Sequence, residues 1–267
     1  MSESRQAQGG RSRPWRSDDA WRRLRELTPA RIALGRAGSG LPTDALLAFQ
    51  AAHAAARDAV HAAFDPTAIQ DALAAIGHPV ITVSSQAGDR VRYLQRPDLG
   101  RLLNDEDAQR LAEGAGEGCD LVIIIADGLS ATATMAHALA LTLRLLRHLP
   151  AHGVRPGPVI IANQARVALA DAIGEQMKAA QSLILLGERP GLSSPDSLSG
   201  YLTWQPAPGR RDSQRNCVSN IRPGAGLGYD AAAHTLIYLM LEARRRRLTG
   251  VALKDDSATS PSLLQSP

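Results

Sequence analysis

Short continuous apolar runs alternate with longer segments of helical spacing over roughly the second half of the chain. Continuous runs are typical of strands buried on both faces, whereas apolar residues every three or four positions indicate amphipathic helices. This alternation predicts an α/β fold with a Rossmann-like, mostly parallel sheet and crossover helices. The predicted strands cover residues 121–126, 159–162 and 183–186, with 201–204 and 218–221 as further strands.

The earlier part of the chain has a different pattern. Between Thr43 and Pro66, apolar residues recur at helical spacing, which predicts one long helix. Residues 80–84 and 91–94 are rich in Val and Ile or aromatic residues and flank a Gly-Asp pair, which predicts a β-hairpin. The sequence therefore predicts a smaller, mainly helical N-terminal domain with one hairpin.

The composition of the chain predicts where its domains begin and end. Residues 1–19 are rich in Arg, Ser and Gly, and residues 255–267 are rich in Ser and Pro, so both ends are predicted to be disordered tails. Between them, we expect an N-terminal helical and hairpin domain over 20–115 and a Rossmann-like domain over 116–254.

Composition also excludes several classes of protein. Aromatic residues make up only 3% of the chain and do not interleave with Arg or Lys, so the net charge of +4 does not indicate a nucleic-acid surface. No apolar run approaches the roughly 20 residues that a bilayer crossing needs, so we expect no membrane association. Cys119 and Cys217 are too few for a disulfide framework or a zinc site, which fits a cytoplasmic protein.

Polar or glycine-containing loops follow three of the predicted strands. They are Asp127-Gly128, residues 163–167 and residues 187–191. Because ligands of open parallel sheets bind beyond the carboxyl ends of the strands, these loops are expected to form one rim that binds a ligand. Each loop taken alone is better explained as a tight strand-to-helix turn, and the prediction depends on all three lying at one edge.

Two enzyme classes lack their usual motifs. No G-x-G-x-x-G fingerprint follows the 121–126 strand, and Thr132 stands where the nucleophile elbow around Ser130 would require glycine. A hydrolase is therefore disfavoured. A stand-alone Rossmann-type enzyme that binds a nucleotide or S-adenosylmethionine remains the alternative function from the residues alone.

Six ordered segments resemble the small (light) subunit of ethanolamine ammonia-lyase. The similarity covers roughly residues 20–254, and the segments are ARIALGRAG (30–38), AHAAARDAV (52–60), RPDLGR (96–101), ADGLS (126–130), GERPGL (187–192) and RNCVSNI (215–221). The resemblance implies a lyase subunit that is inactive alone and joins a larger subunit in a hetero-oligomer. That enzyme converts ethanolamine to acetaldehyde and ammonia by a radical rearrangement.

The resemblance also implies a cofactor site. Members of the family hold adenosylcobalamin where the two subunits meet, and the family's small-subunit contacts fall on Val167, Glu188 and Cys217. No catalytic residue and no metal ligand are expected in this chain. The family commonly works inside bacterial microcompartments, which gives an alternative to a free cytoplasmic location.

One helix face is a candidate contact for the large subunit. His53, Arg57 and His61 lie four residues apart and so share one face of the predicted helix. A metal site would need further imidazole or carboxylate partners at matching spacing, which the sequence does not offer. We therefore expect this face, and with it the N-terminal domain, to contact another protein chain or solvent.

Overall fold

The structure, a computed structural model, describes residues 19–264. The chain forms two compact units, with the boundary between Ala54 and Ala55. Over the described residues, no helix combines the length and the apolar character that a bilayer crossing requires.

The first unit contains helix α1, Asp19–Glu26, and most of helix α2, Thr43–His61. The predicted long helix is therefore confirmed, and it ends before the Asp65-Pro66 pair that the sequence marks as a stop. The first unit leaves an unusual number of large apolar side chains exposed. These are Leu24, Leu27, Leu41, Leu46, Leu47 and Phe49.

A six-stranded mixed sheet lies at the centre of the second unit. Its strands are β1 (Val80–Ser84), β2 (Cys119–Ala126), β3 (Val159–Asn163), β4 (Ala179–Gly187), β5 (Leu198–Trp204) and β6 (Arg215–Ile221). The strand order is β1-β3-β2-β4-β5-β6, with β1 to β4 parallel and β5 and β6 antiparallel to their neighbours. The predicted α/β class is confirmed, and the sheet is more mixed than the apolar pattern indicated.

Helices cover the two faces of this sheet unequally. The remaining helices are α3 (Thr67–Ala75), α4 (Arg90–Gln95), α5 (Asp105–Gly114), α6 (Ala131–His148), α7 (Leu169–Gln176) and α8 (Tyr229–Arg246). Helices α3, α6 and α8 pack in one apolar cluster with side chains from β2 to β6. On the other face, α5 and α7 pack with side chains from β1 to β4.

The second face is therefore covered over only part of its width. Antiparallel strands are joined by loops and need no crossover helix. Over residues 19–264, α7 packs mainly on β4 and α5, while the helix that packs on β5 and β6, α8, lies on the opposite face. On the α7 side of β6, Arg215 is buried against Asp171 of α7, whereas Cys217 is exposed and Tyr201 on β5 is half-buried.

The predicted hairpin over 80–84 and 91–94 is wrong in its second half. Residues 90–95 form α4, because Asp89 acts as the N-cap and its side chain accepts the backbone N–H of Arg92 at 2.8 Å. Tyr93 is fully buried and its hydroxyl donates to the Ala165 carbonyl at 3.0 Å. Capping and this distant contact outweigh the strand propensity of a short segment.

The limits that composition indicated also differ from the structure. Strand β1 pairs in parallel with β3, so the sheet draws residues from both sides of the predicted boundary at 115/116. Hydrogen bonding between neighbouring strands joins the two segments into one core.

The C-terminal segment is ordered through residue 264, contrary to the predicted tail. Ser257 is buried, and His234 on α8 hydrogen-bonds its carbonyl at 3.1 Å. Leu263 and Leu264 pack against the α8 side of the core, so this polar stretch carries enough apolar anchors to stay on the surface of the fold. Residues 1–18 and 265–267 of the predicted tails lie outside the described residues.

Candidate functional site

The loop after β2, the first loop of the predicted rim, is held by buried contacts with its neighbours. Asp127 is 1% exposed and does not line a cavity; its Oδ1 accepts the Ala165 N–H at 3.1 Å and its Oδ2 lies 3.3 Å from Arg90 Nη1. Burial raises the pKa of Asp127 to about 6, although the Ala165 N–H and Arg90 oppose that shift. Asp127 thus ties the β2 loop to the β3 loop and to α4.

Two glycines allow the loops after β2 and β4 to touch. Gly128 adopts φ +56°, and a Cβ placed on it would lie 2.4 Å from the Gly187 carbonyl oxygen. A Cβ on Gly187 would lie 1.9 Å from the Ser130 carbonyl oxygen. No side chain fits at either position without moving the backbone, so these residues bring the loops that precede Ser130 and Glu188 into direct contact.

Two adjoining cavities open beside this rim, over the part of β5 and β6 that contains Tyr201 and Cys217. The first, of about 360 Å³, is lined by Arg101, Arg166, Val167, Ala168, Tyr201, Asp212, Arg215 and Cys217. The second, of about 460 Å³, shares four of these residues and adds others from the rim. Its lining is Tyr93, Leu129, Arg166, Val167, Leu186, Gly187, Glu188, Arg189, Ser199, Tyr201, Cys217 and Ser219.

The three residues singled out in the sequence meet at these cavities. Val167, in the loop after β3, lines both of them, and so does Cys217 on β6. Glu188, directly after β4, lines the second cavity. Three segments that are distant in sequence therefore contribute to one continuous surface.

Glu188 both braces the sheet edge and presents a free acceptor. Its Oε1 accepts the Ser199 hydroxyl on β5 and the Asn220 backbone N–H on β6, the latter at 2.8 Å. Among residues 19–264, both hydrogen bonds to the carboxylate go to Oε1. Oε2 is thus available to a donor on a bound ligand.

Cys217 is exposed, which differs from the packing role that its residue type indicates. The cavity walls nevertheless desolvate the thiol and raise its pKa, while hydrogen bonds involving Tyr201 and Ser199 act in the opposite direction. A raised pKa keeps the sulfur protonated at neutral pH, which disfavours Cys217 as a nucleophile. Burial likewise raises the pKa of Tyr201 to about 12.

Arg166 is held in place on several sides. Its backbone N–H donates to the Gly100 carbonyl at 2.8 Å, and its guanidinium carbon lies 4.2 Å from the centre of the Tyr93 ring. Its Nε is buried without a hydrogen-bond partner in the described part of the chain. A buried donor without a partner is costly, and a ligand in the adjoining cavities offers one.

Sequence patterns missed several residues of the site. Tyr93 lies in the segment predicted to be a hairpin strand, and Arg166 is contained in the rim loop but was not singled out. Tyr201 on β5 pairs with Cys217 on β6, and Ser199 lies two residues before Tyr201, at a register shift between the two strands. The two-residue spacing of Ser199 and Tyr201, repeated at Cys217 and Ser219, is the signal that a polar strand face offers.

The lining fits part of a large, amide-fringed ligand. Glu188 offers acceptors and Arg166 an orphaned donor, while Ser199, Ser219 and Tyr201 offer hydroxyl groups. Each cavity has a volume within the range of about 300–1,000 Å³ that holds drug-sized ligands. The two cavities together therefore suit part of a ligand that is larger than that.

The fold and the cavities define an α/β protein with a candidate ligand site at one side of its sheet. A family model of the ethanolamine ammonia-lyase light chain (EutC) matches residues 18–254. The ethanolamine ammonia-lyase small subunit of Azotobacter vinelandii is 56% identical over 244 residues, which cover 90% of each chain. The small subunit from Pseudomonas syringae pv. tomato is 55% identical over 240 residues, covering 89% of this chain and 83% of that one.

A third relative, the small subunit from Ralstonia nicotianae, is 53% identical over 242 residues, covering 90% of this chain and 89% of its own. At this identity and coverage, the resemblance found in the sequence is confirmed. The chain belongs to the ethanolamine ammonia-lyase small-subunit family.

Proposed function

We propose that this chain is the small subunit of an adenosylcobalamin-dependent ethanolamine ammonia-lyase and forms one wall of the cofactor site. The observation that carries the proposal is the convergence of Val167, Glu188 and Cys217 on two adjoining cavities. These are the positions to which the family resemblance assigns the cofactor contacts. Family membership supports the proposed reaction, and the side chains that line the cavities support the proposed cofactor site.

The residues of this wall bind and orient; none of them is proposed to react. Glu188 Oε2 accepts hydrogen bonds from side-chain amides of the corrin, and the loop at Val167 and the strand at Cys217 give the surface its shape. When bound, adenosylcobalamin supplies the radical that starts the rearrangement of ethanolamine to acetaldehyde and ammonia. The groups that handle ethanolamine belong to the large subunit in this proposal.

The test of this wall is the substitution Glu188→Gln. Glutamine keeps an oxygen that accepts the Ser199 and Asn220 hydrogen bonds, but it presents an amide donor where Oε2 stood. Loss of one charged hydrogen bond costs about 1.5–3 kcal/mol. We therefore expect adenosylcobalamin affinity in the assembled two-subunit enzyme to fall by about 10-fold to 100-fold, measured by equilibrium dialysis.

Glu188→Ala serves as the comparison, because it removes the brace as well as the ligand acceptor. The Ala variant should lose both cofactor affinity and thermal stability, whereas the Gln variant should lose chiefly affinity. Unchanged cofactor affinity in the Gln variant would remove Glu188 from the site. Binding of NAD or S-adenosylmethionine by the chain alone would favour the nucleotide-enzyme alternative.

The exposed apolar residues of the first unit are the proposed contact for the large subunit. Leu27 is 82% exposed and Leu47 is 58% exposed, and apolar clusters of this kind mark protein interaction surfaces. His53 and Arg57, on the predicted contact face of α2, are both exposed. A standard interface would bury about 800 Å² on each partner, with apolar residues at its centre.

Substitution of Leu47 tests this surface. If Leu47 is an anchor of this surface, Leu47→Ser should weaken association with the large subunit by about tenfold, because truncating a central anchor of an interface costs more than about 1 kcal/mol. Gln50→Ser, also exposed on α2, removes no apolar contact and is the matched control. Sedimentation of the mixed subunits measures both, and equal association of the two variants would count against this surface.

A further inference from the structure

Arg166 is the charged residue that the two cavities share within the described part of the chain. No carboxylate among residues 19–264 lies within ion-pair distance of it. Its contact with Tyr93 is to the ring face, and its Nη2 lies 3.5 Å from the Tyr93 carbonyl oxygen, which is the limit of a hydrogen bond. The guanidinium therefore keeps most of its charge and its donors for a ligand.

The position of Arg166 is preorganised by its neighbours. A Cβ on Gly100 would lie 3.0 Å from both the Arg166 side chain and the Tyr93 ring, so Gly100 leaves the room in which these two side chains stack. The Gly100 carbonyl also accepts the Arg166 backbone N–H. An arginine that is already ordered loses little rotamer entropy when it binds.

The charges around the first cavity favour an anion. Its charged lining consists of Arg101, Arg166, Arg215 and Asp212. Arg215 is neutralised by two hydrogen bonds of 2.6 Å to the Asp171 carboxylate, which leaves Arg101 and Arg166 against Asp212 alone. In the second cavity, by contrast, Glu188 faces the same Arg166 and also Arg189. Both cavities thus have an excess of positive charge, while the Glu188 carboxylate oxygen that accepts no hydrogen bond belongs to the second cavity.

We infer that Arg166, with Arg101 beside it, binds a phosphodiester in the first cavity. The planar guanidinium matches two oxygens of a phosphate, and the flanking cavity with Glu188 suits neutral amides. The inference rests on the proposed function: in cobalamin, the phosphodiester belongs to the nucleotide tail, and the amides fringe the corrin. The cofactor is therefore oriented with its tail towards Arg101 and its amides towards Glu188.

The experiment compares two ligands on the assembled two-subunit enzyme. Cobalamin carries the phosphodiester and cobinamide lacks the whole nucleotide, while both carry the corrin and its amides. Arg166→Gln should weaken cobalamin binding by about 10-fold to 100-fold, because a charge-assisted hydrogen bond is lost, and should change cobinamide binding less than about threefold. Equilibrium dialysis gives both affinities without any turnover.

Two further variants sharpen the comparison. Arg166→Lys keeps the positive charge and should retain part of the affinity for cobalamin. Arg147→Gln removes the same charge from an exposed position on α6 and should change neither affinity. The cobalamin affinity of the unmodified enzyme should also fall with rising salt more steeply than that of Arg166→Gln, because salt screens the ion pair.

The outcomes separate this inference from the proposed function. Equal losses for cobalamin and cobinamide, or an unchanged salt dependence in Arg166→Gln, would overturn the assignment of the phosphodiester while leaving the cofactor wall in place. Failure of the unmodified enzyme to bind either corrinoid would overturn both. A selective loss of cobalamin affinity with retained cobinamide affinity supports the assignment.

Discussion

Replacing Asp171 by alanine is expected to lower the free energy of unfolding by about 3–5 kcal/mol. The Asp171 carboxylate accepts two hydrogen bonds of 2.6 Å from Arg215, and both side chains are only 2% exposed. Removing the carboxylate leaves a buried guanidinium whose charge no longer has its main partner. Urea denaturation of the purified chain, followed by circular dichroism, measures the loss.

Two comparisons test the cause of this loss. Asp98→Ala breaks an exposed ion pair with Arg96 and should cost at most about 1 kcal/mol. The double variant Asp171→Leu, Arg215→Met removes both buried charges and should be more stable than Asp171→Ala, because no uncompensated charge remains. A double variant as unstable as the single one would mean that packing, and not charge, dominates at this site.

Gly187→Ala is expected to destabilise the chain by about 3 kcal/mol, at the upper end for overpacking. The added Cβ would lie 1.9 Å from the Ser130 carbonyl oxygen, an atom of the backbone that cannot rotate away. The loops after β2 and β4 must therefore separate, which moves the adjoining Glu188. Thermal unfolding measures the loss of stability, and the same variant should bind adenosylcobalamin more weakly in the assembled enzyme.

Gly114→Ala is the control for this substitution. Gly114 ends α5 and no atom lies within 4 Å of an added Cβ, so alanine should be neutral or stabilise the helix by up to about 1 kcal/mol. If Gly187→Ala unfolds at the same temperature as Gly114→Ala, the contact between the two loops is looser than the structure indicates.

The sequence predicts the parallel part of the fold well, because its strands are buried on both faces. Such strands appear as uninterrupted apolar runs, and β2, β3 and β4 all lie where those runs occur. Leu169, Ile173 and Met177 likewise mark the buried side of α7 and its end. Burial that is set by local periodicity can be inferred from the chain without knowledge of distant contacts.

Elements that depend on distant contacts are less predictable. The stripe of Met135, Leu139, Leu143 and Leu146 locates α6, yet Met135 is exposed and the fully buried positions include Leu141 and Leu145. An apolar run in a helix does not by itself reveal which side meets the sheet. The prediction for the α4 segment failed for a related reason, because its cap and its contact with the β3 loop decide its conformation.

The site also contains residues that the sequence pattern locates and residues that depend on distant contacts. Glu188 directly follows the end of an apolar strand, so the rule that ligands bind beyond the carboxyl ends of parallel strands locates it from the sequence alone. Arg166 and Tyr93 lie 73 residues apart in the chain, and their stacking depends on the room left by Gly100 between them. Contacts of that kind have no periodic signature, which is why Tyr93 was absent from the predicted site.

The side chains of β5 and β6 are subject to two kinds of evolutionary constraint. On each of these strands, one set of side chains fills the core beneath α8. In the alternate set, Arg215 and Thr203 are buried beside Asp171 of α7, whereas Tyr201 and Cys217 line the cavities. Substitutions at Tyr201 and Cys217 can alter ligand recognition while leaving most of the packing intact. Descendants of this fold can therefore diverge in what they bind faster than in how they fold.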